Sequence, residues 1–215
     1  MALLPAMSVA EPLWVGRFVA TDNGLPPPWR IVRFDDNIPP TRYRLREWDG
    51  VNGVEAHAVK SMAMLARPLD VDLAKTPVLC WRWRVDAPLK NADITRKAGD
   101  DTAAHIHLSF AAQRGLRMKE ESALMYIWDN RHAIGAWQAN VHSSRTRMLV
   151  LRSGAADSGH WLEERRDLAA DYRQAFGQAA GRLIGLGMAS DTDNTGEEAR
   201  AGFADFHFVA KSESC

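Results

Sequence analysis

Trp81-Arg82-Trp83-Arg84-Val85 (WRWRV) decides the fold. Alternate side chains of an extended chain point to opposite faces, so Trp81, Trp83 and Val85 share one face while Arg82 and Arg84 share the other. A helix would scatter these five residues around its axis. The run therefore reads as a strand over Val78–Val85, with its tryptophans toward a core and its arginines away from it.

Outward from that strand, the same pattern repeats in short runs bounded by Gly, Pro, Asn or Asp. Trp29–Phe34, Arg42–Trp48, Val54–Lys60, Ala103–Phe110, Leu124–Trp128, Arg147–Leu151, Arg182–Met188 and Ala201–Val209 all read as strands. Asp49 through Gly53 reads as a hairpin connection, because Gly and Asn tolerate positive φ. Gly24–Pro28 and Ile38-Pro39-Pro40 are rigid punctuation. Two segments look helical: Glu164–Phe176, with Leu168, Tyr172 and Phe176 at four-residue spacing before Gly177, and a single turn at Ser61–Leu65 ended by Pro68. The expectation is a mainly β protein, a two-sheet antiparallel β-sandwich of jelly-roll type with one or two short helices. Residues 1–28 form an N-terminal segment, 29–210 one sandwich domain, and 211–215 a frayed C-terminus.

Composition narrows the function classes. The 215 residues carry 27 Lys+Arg against 27 Asp+Glu, so no general excess of positive charge exists to hold nucleic acid. No apolar run is long enough to span a membrane as a helix. Eight tryptophans serve either a core or flat stacking platforms. Cys80 reads as a small buried apolar residue and Cys215 as part of the loose terminus; a bridge between them cannot be deduced from spacing. Met1–Ala10 is apolar, and Ser8-Val9-Ala10 has small residues at signal-peptidase spacing, but no positively charged start precedes it. Either it is an ordinary N-terminus of a cytoplasmic protein, or it is the remnant of an export signal and the domain is periplasmic.

Alternation also assigns the polar faces. His105 and His107 lie opposite Ile106, Leu108 and Phe110; Glu55 and His57 lie opposite Val54, Ala56 and Ala58; Phe203, Asp205 and His207 lie opposite Phe206 and Phe208. A face rich in Arg, His and Asp suits either solvent or a ligand groove. The ligand-binding set this predicts is Arg82, Arg84, Asp101, His105, His107 and Asp205, with Trp128 and Trp161 as stacking residues. His105-x-His107 also suits a transition metal, given a third ligand from His57, Asp205 or His207. Asp191-Thr192-Asp193-Asn194-Thr195-Gly196 resembles the first half of a Ca²⁺ loop, with Asp191, Asp193 and Thr195 as oxygen donors. The bidentate Glu that an EF-hand needs is missing, since Gly202 stands there, and an Asx-type turn is the other reading of this loop. No P-loop, G-x-S-x-G elbow, H-E-x-x-H or C-x-x-C motif is present.

Six segments in order, W-R-W-R-V (81–85), K-A-G-D-D (97–101), Y-I-W (126–128), W-L-E-E-R-R-D-L (161–168), D-Y-R-Q-A-F-G (171–177) and D-T-D-N-T-G (191–196), resemble a bacterial family known as a domain of unknown function, number 3047. The likeness runs from about Trp29 to Phe208. It implies bacterial origin and, in many members, export; it implies no activity and no site residues. The expected function is a binding module for a carbohydrate or similar polyhydroxylated ligand. The alternatives are a polysaccharide hydrolase or lyase using a carboxylate/His groove, with Asp101 and His105 as its acid/base pair, and an envelope protein-interaction module.

Overall fold

The computed structural model describes residues 11–19, 24–112 and 121–215. Ser8-Val9-Ala10 lies outside the described residues. Thirteen strands and one helix are present among the described residues. They are β1 (Leu13–Gly16), β2 (Arg30–Val32), β3 (Arg42–Trp48), β4 (Val51–Val59), β5 (Met64–Val71), β6 (Val78–Val85), β7 (Thr102–Phe110), β8 (Ser122–Asp129), β9 (Trp137–Ala139), β10 (Thr146–Ser153), β11 (Leu162–Asp167), α1 (Leu168–Phe176), β12 (Leu183–Asp191) and β13 (Glu198–Val209).

The strands form two sheets. One has six strands in the order β11-β6-β13-β4-β3, with β1 also on β13; the other has seven in the order β2-β5-β12-β7-β8-β10-β9. They enclose one core, in which Trp81, Trp83, Tyr126, Trp128, Phe203, Phe206 and Phe208 are essentially inaccessible to solvent. Trp81 stacks on Tyr126 across the gap, with ring centroids 5.5 Å apart. WRWRV thus behaves as its alternation predicts, and the fold is the expected jelly-roll-like sandwich.

Several local expectations are corrected. The seven-stranded sheet is mixed, because β10 pairs with β8 in parallel. The β3–β4 hairpin turns in two residues, not five: Asp49 and Gly50 both adopt positive φ, and Trp48 pairs with Val51. Such a turn matches the twist of its flanking strands. Ser61–Leu65 forms no helix; Met64 opens β5, which continues through Pro68. The helix starts later than predicted, because Leu162–Asp167 pairs with β6 and Asp167 caps the helix by accepting from the Ala170 amide. Phe203 lies inside with Phe206 and Phe208. A register shift between Ala204 and His207, where Asp205 adopts φ 57, resets the alternation, as a bulge does.

The C-terminus is not frayed. Arg165 donates to the carbonyls of Lys211 and Glu213, and Cys215 is disulfide-bonded to Cys80.

Candidate functional site

The expected single groove does not form, because its residues are divided between the two sheets. Arg82, Arg84, Asp205 and Trp161 lie on the outer face of the six-stranded sheet, whereas His105 and His107 lie on the outer face of the seven-stranded one. Trp128 is in the core and donates to the Gly154 carbonyl, so no ligand can stack on it. Burial holds His105 down to about 3 and His107 to about 4, so both imidazoles are neutral at pH 7. His105 bonds Thr102 at 2.7 Å, and no third metal-ligating side chain joins the pair among the described residues. Asp101 and His105 address different partners and make no acid/base pair.

On the six-stranded sheet, β3 carries the alternation R-x-R-x-R-x-W. Arg42, Arg44, Arg46 and Trp48 therefore share the outer face. Register sets Arg42 beside His57 and Arg44 beside Glu55 on β4, and sets Arg200 of β13 beside His57. Glu55 is 1% exposed. Its carboxylate accepts from Arg44 (2.8 and 3.0 Å), Arg46 (2.6 Å) and Arg200 (3.1 Å). Burial would raise its pKa, but the hydrogen bonds and charges of Arg46 and Arg44 outweigh it and hold the acid below its ordinary value.

The network continues to the edge of the sheet. Arg42 lies 3.1 Å from His57 Nδ1, and His57 Nε2 lies 2.7 Å from Glu198. A guanidinium only donates, so Nδ1 accepts and the ring proton sits on Nε2, facing Glu198. A groove of about 730 Å³ opens here, lined by Arg33, Arg42, Arg44, Glu55, His57 and Arg200 among others.

Trp161 covers the other end of this face. Its indole donates to the Trp48 carbonyl at 2.7 Å and rests on Gly53 and Gly202. A Cβ at Gly202 would stand 2.7 Å from the Trp161 ring, so this bed requires glycine. Arg84 and Arg46 lie over Trp48 at 4.0 and 4.4 Å. Arg84 is buried and paired with Asp49 and Asp86, while Arg82 pairs with Asp205 beside a smaller recess that also holds His207.

A second cleft, of about 540 Å³, is acidic. Asp191 ends β12, Asp193 and Asn194 follow it, Asp100 precedes β7, and His142 bonds Asp100 at 3.0 Å. Asp101, Asp191 and Asp193 bring carboxylate oxygens within 4.8 Å of one another, the donor chemistry of a hard cation such as Ca²⁺. Thr195, the expected third donor, instead gives its hydroxyl proton to Asp101. Asp101 also accepts from the amides of Asn194 and Thr195, which accounts for the turn without an ion. Asp191 is pushed well above the carboxylate range by burial, by the adjoining Asp193 carboxyl and by Asp101. Burial also raises Asp100, against the opposing pull of His142.

The sequence reading did not single out Arg42, Arg44, Arg46 or Arg200. The signal of the first three was present, since R-x-R-x-R-x-W alternates as clearly as WRWRV does; Arg200, on β13, joins them only through sheet pairing.

A family described as a protein of unknown function (DUF3047) matches residues 27–207, as the six ordered segments predict. No curated protein matches the chain. Among solved structures, a thermostable cellulase derived from Cel12A of Rhodothermus marinus is similar at 12% identity and a TM-score of 0.44, over 80% of this chain and 88% of that one. The xyloglucanase domain of NopAA from Sinorhizobium fredii, in complex with cellobiose, is similar at 10% and 0.42, over 92% and 93%. A family 11 xylanase from Neocallimastix patriciarum is similar at 9% and 0.41, over 94% and 100%. No residue role is carried over from them.

Proposed function

We propose that this chain, which belongs to the DUF3047 family of proteins of unknown function, is an exported module that binds a carbohydrate along the outer face of its six-stranded sheet. One observation carries the reading: the 730 Å³ groove lined by Arg42, Arg44, His57 and Arg200, in which Arg44 and Arg200 bond the buried Glu55 and Arg42 bonds His57 beside them. Planar donors held by a shared carboxylate, as Arg44 and Arg200 are by Glu55, are preorganised to bind oxygen-rich ligands, because their rotamers are already ordered. Trp161, half-buried on the same face, adds an apolar indole of the kind a sugar ring can pack against. The Cys80–Cys215 disulfide supports export, since such bonds persist in oxidising compartments.

A glycan array read with the purified chain and with an Arg42→Gln/Arg44→Gln variant tests this. Binding by the parent, weakened in the variant, is expected. No binding to any glycan would sink the module reading.

A second reading, a polysaccharide hydrolase, is supported by the acidic cleft. Carboxyls whose pKa values are raised in a concavity are candidate general acids, and Asp100 and Asp191 both qualify. Release of reducing ends from a polysaccharide panel, abolished by Asp191→Asn with binding retained, would favour it over the module.

A further inference from the structure

We infer that the groove takes a polyanionic sugar polymer bearing carboxylates; this rests on the carbohydrate reading above and names its ligand class. The charges in and around the groove do not cancel. Arg42, Arg44, Arg46 and Arg200 supply four guanidinium groups, against the carboxylates of Glu55 and Glu198. Arg33 adds nothing net, because Asp36 pairs with it. Arg42 has no carboxylate partner among the described residues, and Arg44 keeps 64% of its side chain exposed while bonded to Glu55.

Hydrogen-bond type points the same way. Neutral sugar hydroxyls both donate and accept, so a site for them needs acceptors as well as donors. Here the Glu55 carboxylate is buried and already accepts from three arginines, and Glu198 accepts from His57. Among the charged side chains lining the groove, those left open to a ligand are the donors Arg42, Arg44 and Arg200, while Glu198, 56% exposed, stands outside that lining. A carboxylate needs only donors, and a guanidinium fork matches it in plane and spacing.

The spacing implies a chain. Arg42, Arg44 and Arg46 follow one another at alternate residues of β3, hence about 7 Å apart at the rise of a strand. The row to Trp48 spans roughly 20 Å. β3 is the edge strand of its sheet, so the row has no further strand beside it. Single-stranded nucleic acid, the other linear polyanion, stacks its bases on a series of aromatic platforms. On β3 the arginine row has Trp48 alone, at its end.

The test uses the intact chain and four probes: polygalacturonate, its methyl ester, a neutral glucan and poly-dT. Affinity is measured at low and high salt. Polygalacturonate should bind best, lose affinity on esterification, and bind more weakly as salt rises. Arg42→Gln and Arg44→Gln should each weaken it by about tenfold or more. Arg182→Gln, at an exposed ion pair elsewhere, removes the same charge and should change nothing.

Equal binding of the ester or the neutral glucan would overturn the anionic assignment while leaving the module reading intact. Equal losses in all three variants would reduce the effect to net charge and overturn it as well. Tighter binding of poly-dT would assign the row to nucleic acid. Binding of no sugar would remove the module reading, and this inference with it.

Discussion

Asp191 and Glu55 are both carboxylates on polar faces of the sandwich, and their surroundings push them in opposite directions. Three arginines converge on Glu55, whereas Asp191 meets other acids, and its Oδ1 is buried without a hydrogen-bond partner among the described residues. Asp191 therefore keeps its proton in the folded chain at a pH where the unfolded chain has released it. Below the ordinary value near 3.8 both states are protonated and the site is neutral to stability. As pH rises from there toward the raised folded value, the unfolded state gains by ionising and stability is lost. Asn copies the protonated carboxyl without that penalty. Asp191→Asn should raise the unfolding free energy at pH 7 by on the order of 1 kcal/mol or more, and the gain should shrink to nothing below about pH 4. Urea denaturation of both proteins across that range checks it. A variant less stable at pH 7 would mean that Asp191 ionises in the native state, as a bound cation would require.

At the scale of elements, β13 shows what alternation conveys and where it stops. Gly202 faces outward between Arg84 of β6 and Glu55 of β4, and Trp161 rests on it. Gly202→Ala would place a methyl group 2.7 Å from the Trp161 ring and 2.9 Å from Arg84 Cγ. We expect a loss of about 1–3 kcal/mol, as for other overpacked sites, with a shift in tryptophan emission as the indole lifts. Gly185→Ala on β12, where the nearest atom would be 3.4 Å away on the Ser109 side chain, should stay within about 0.5 kcal/mol. Equal costs at the two sites would show that Trp161 does not need its glycine bed. Such a bed is invisible in sequence, because nothing near Gly202 in the chain announces an indole from residue 161. Alternation was enough to place Trp81 and Trp83 inside and Arg82 and Arg84 outside. It says which side of a strand a residue takes, but not which sheet the strand joins, so the histidines of β7 were grouped with the arginines of β6. It also fails wherever one residue is added: the bulge at Asp205 turned Phe203 inward, and no Gly marked it. The capped start of α1 was hidden for a related reason. Leu168, Tyr172 and Phe176 repeat at helical spacing, yet Leu162–Asp167 is claimed by strand pairing with β6, a partner some eighty positions earlier.

Over the whole molecule, the two cysteines join a central strand to the last residue. Cys80 lies on the outer face of β6 directly opposite Arg165 of β11, and Arg165 holds the tail by its Lys211 and Glu213 carbonyls. Lys211 adds an ion pair to Asp167, at 3.0 Å. The tail is thus led to Cys80 by polar contacts, and the disulfide closes a separation of 135 residues. Closing so long a loop restricts the unfolded ensemble, which in the chain-entropy model is worth about 2–5 kcal/mol. Cys215→Ser should therefore lower stability by that amount. For a domain of this size the drop in Tm is roughly 5–15 °C. The double variant Cys80→Ser/Cys215→Ser should match the single one if the covalent link, not the buried Cys80 side chain, supplies the effect. Reductant should bring the parent to the same Tm and leave both variants unmoved. The same bond bears on where the domain works. Acid-quenched cells treated with an alkylating agent should leave Cys80 and Cys215 unlabelled until reduction, as an oxidising compartment requires. Full labelling without reduction would place the folded chain among thiol-reducing surroundings and remove the disulfide's support for export.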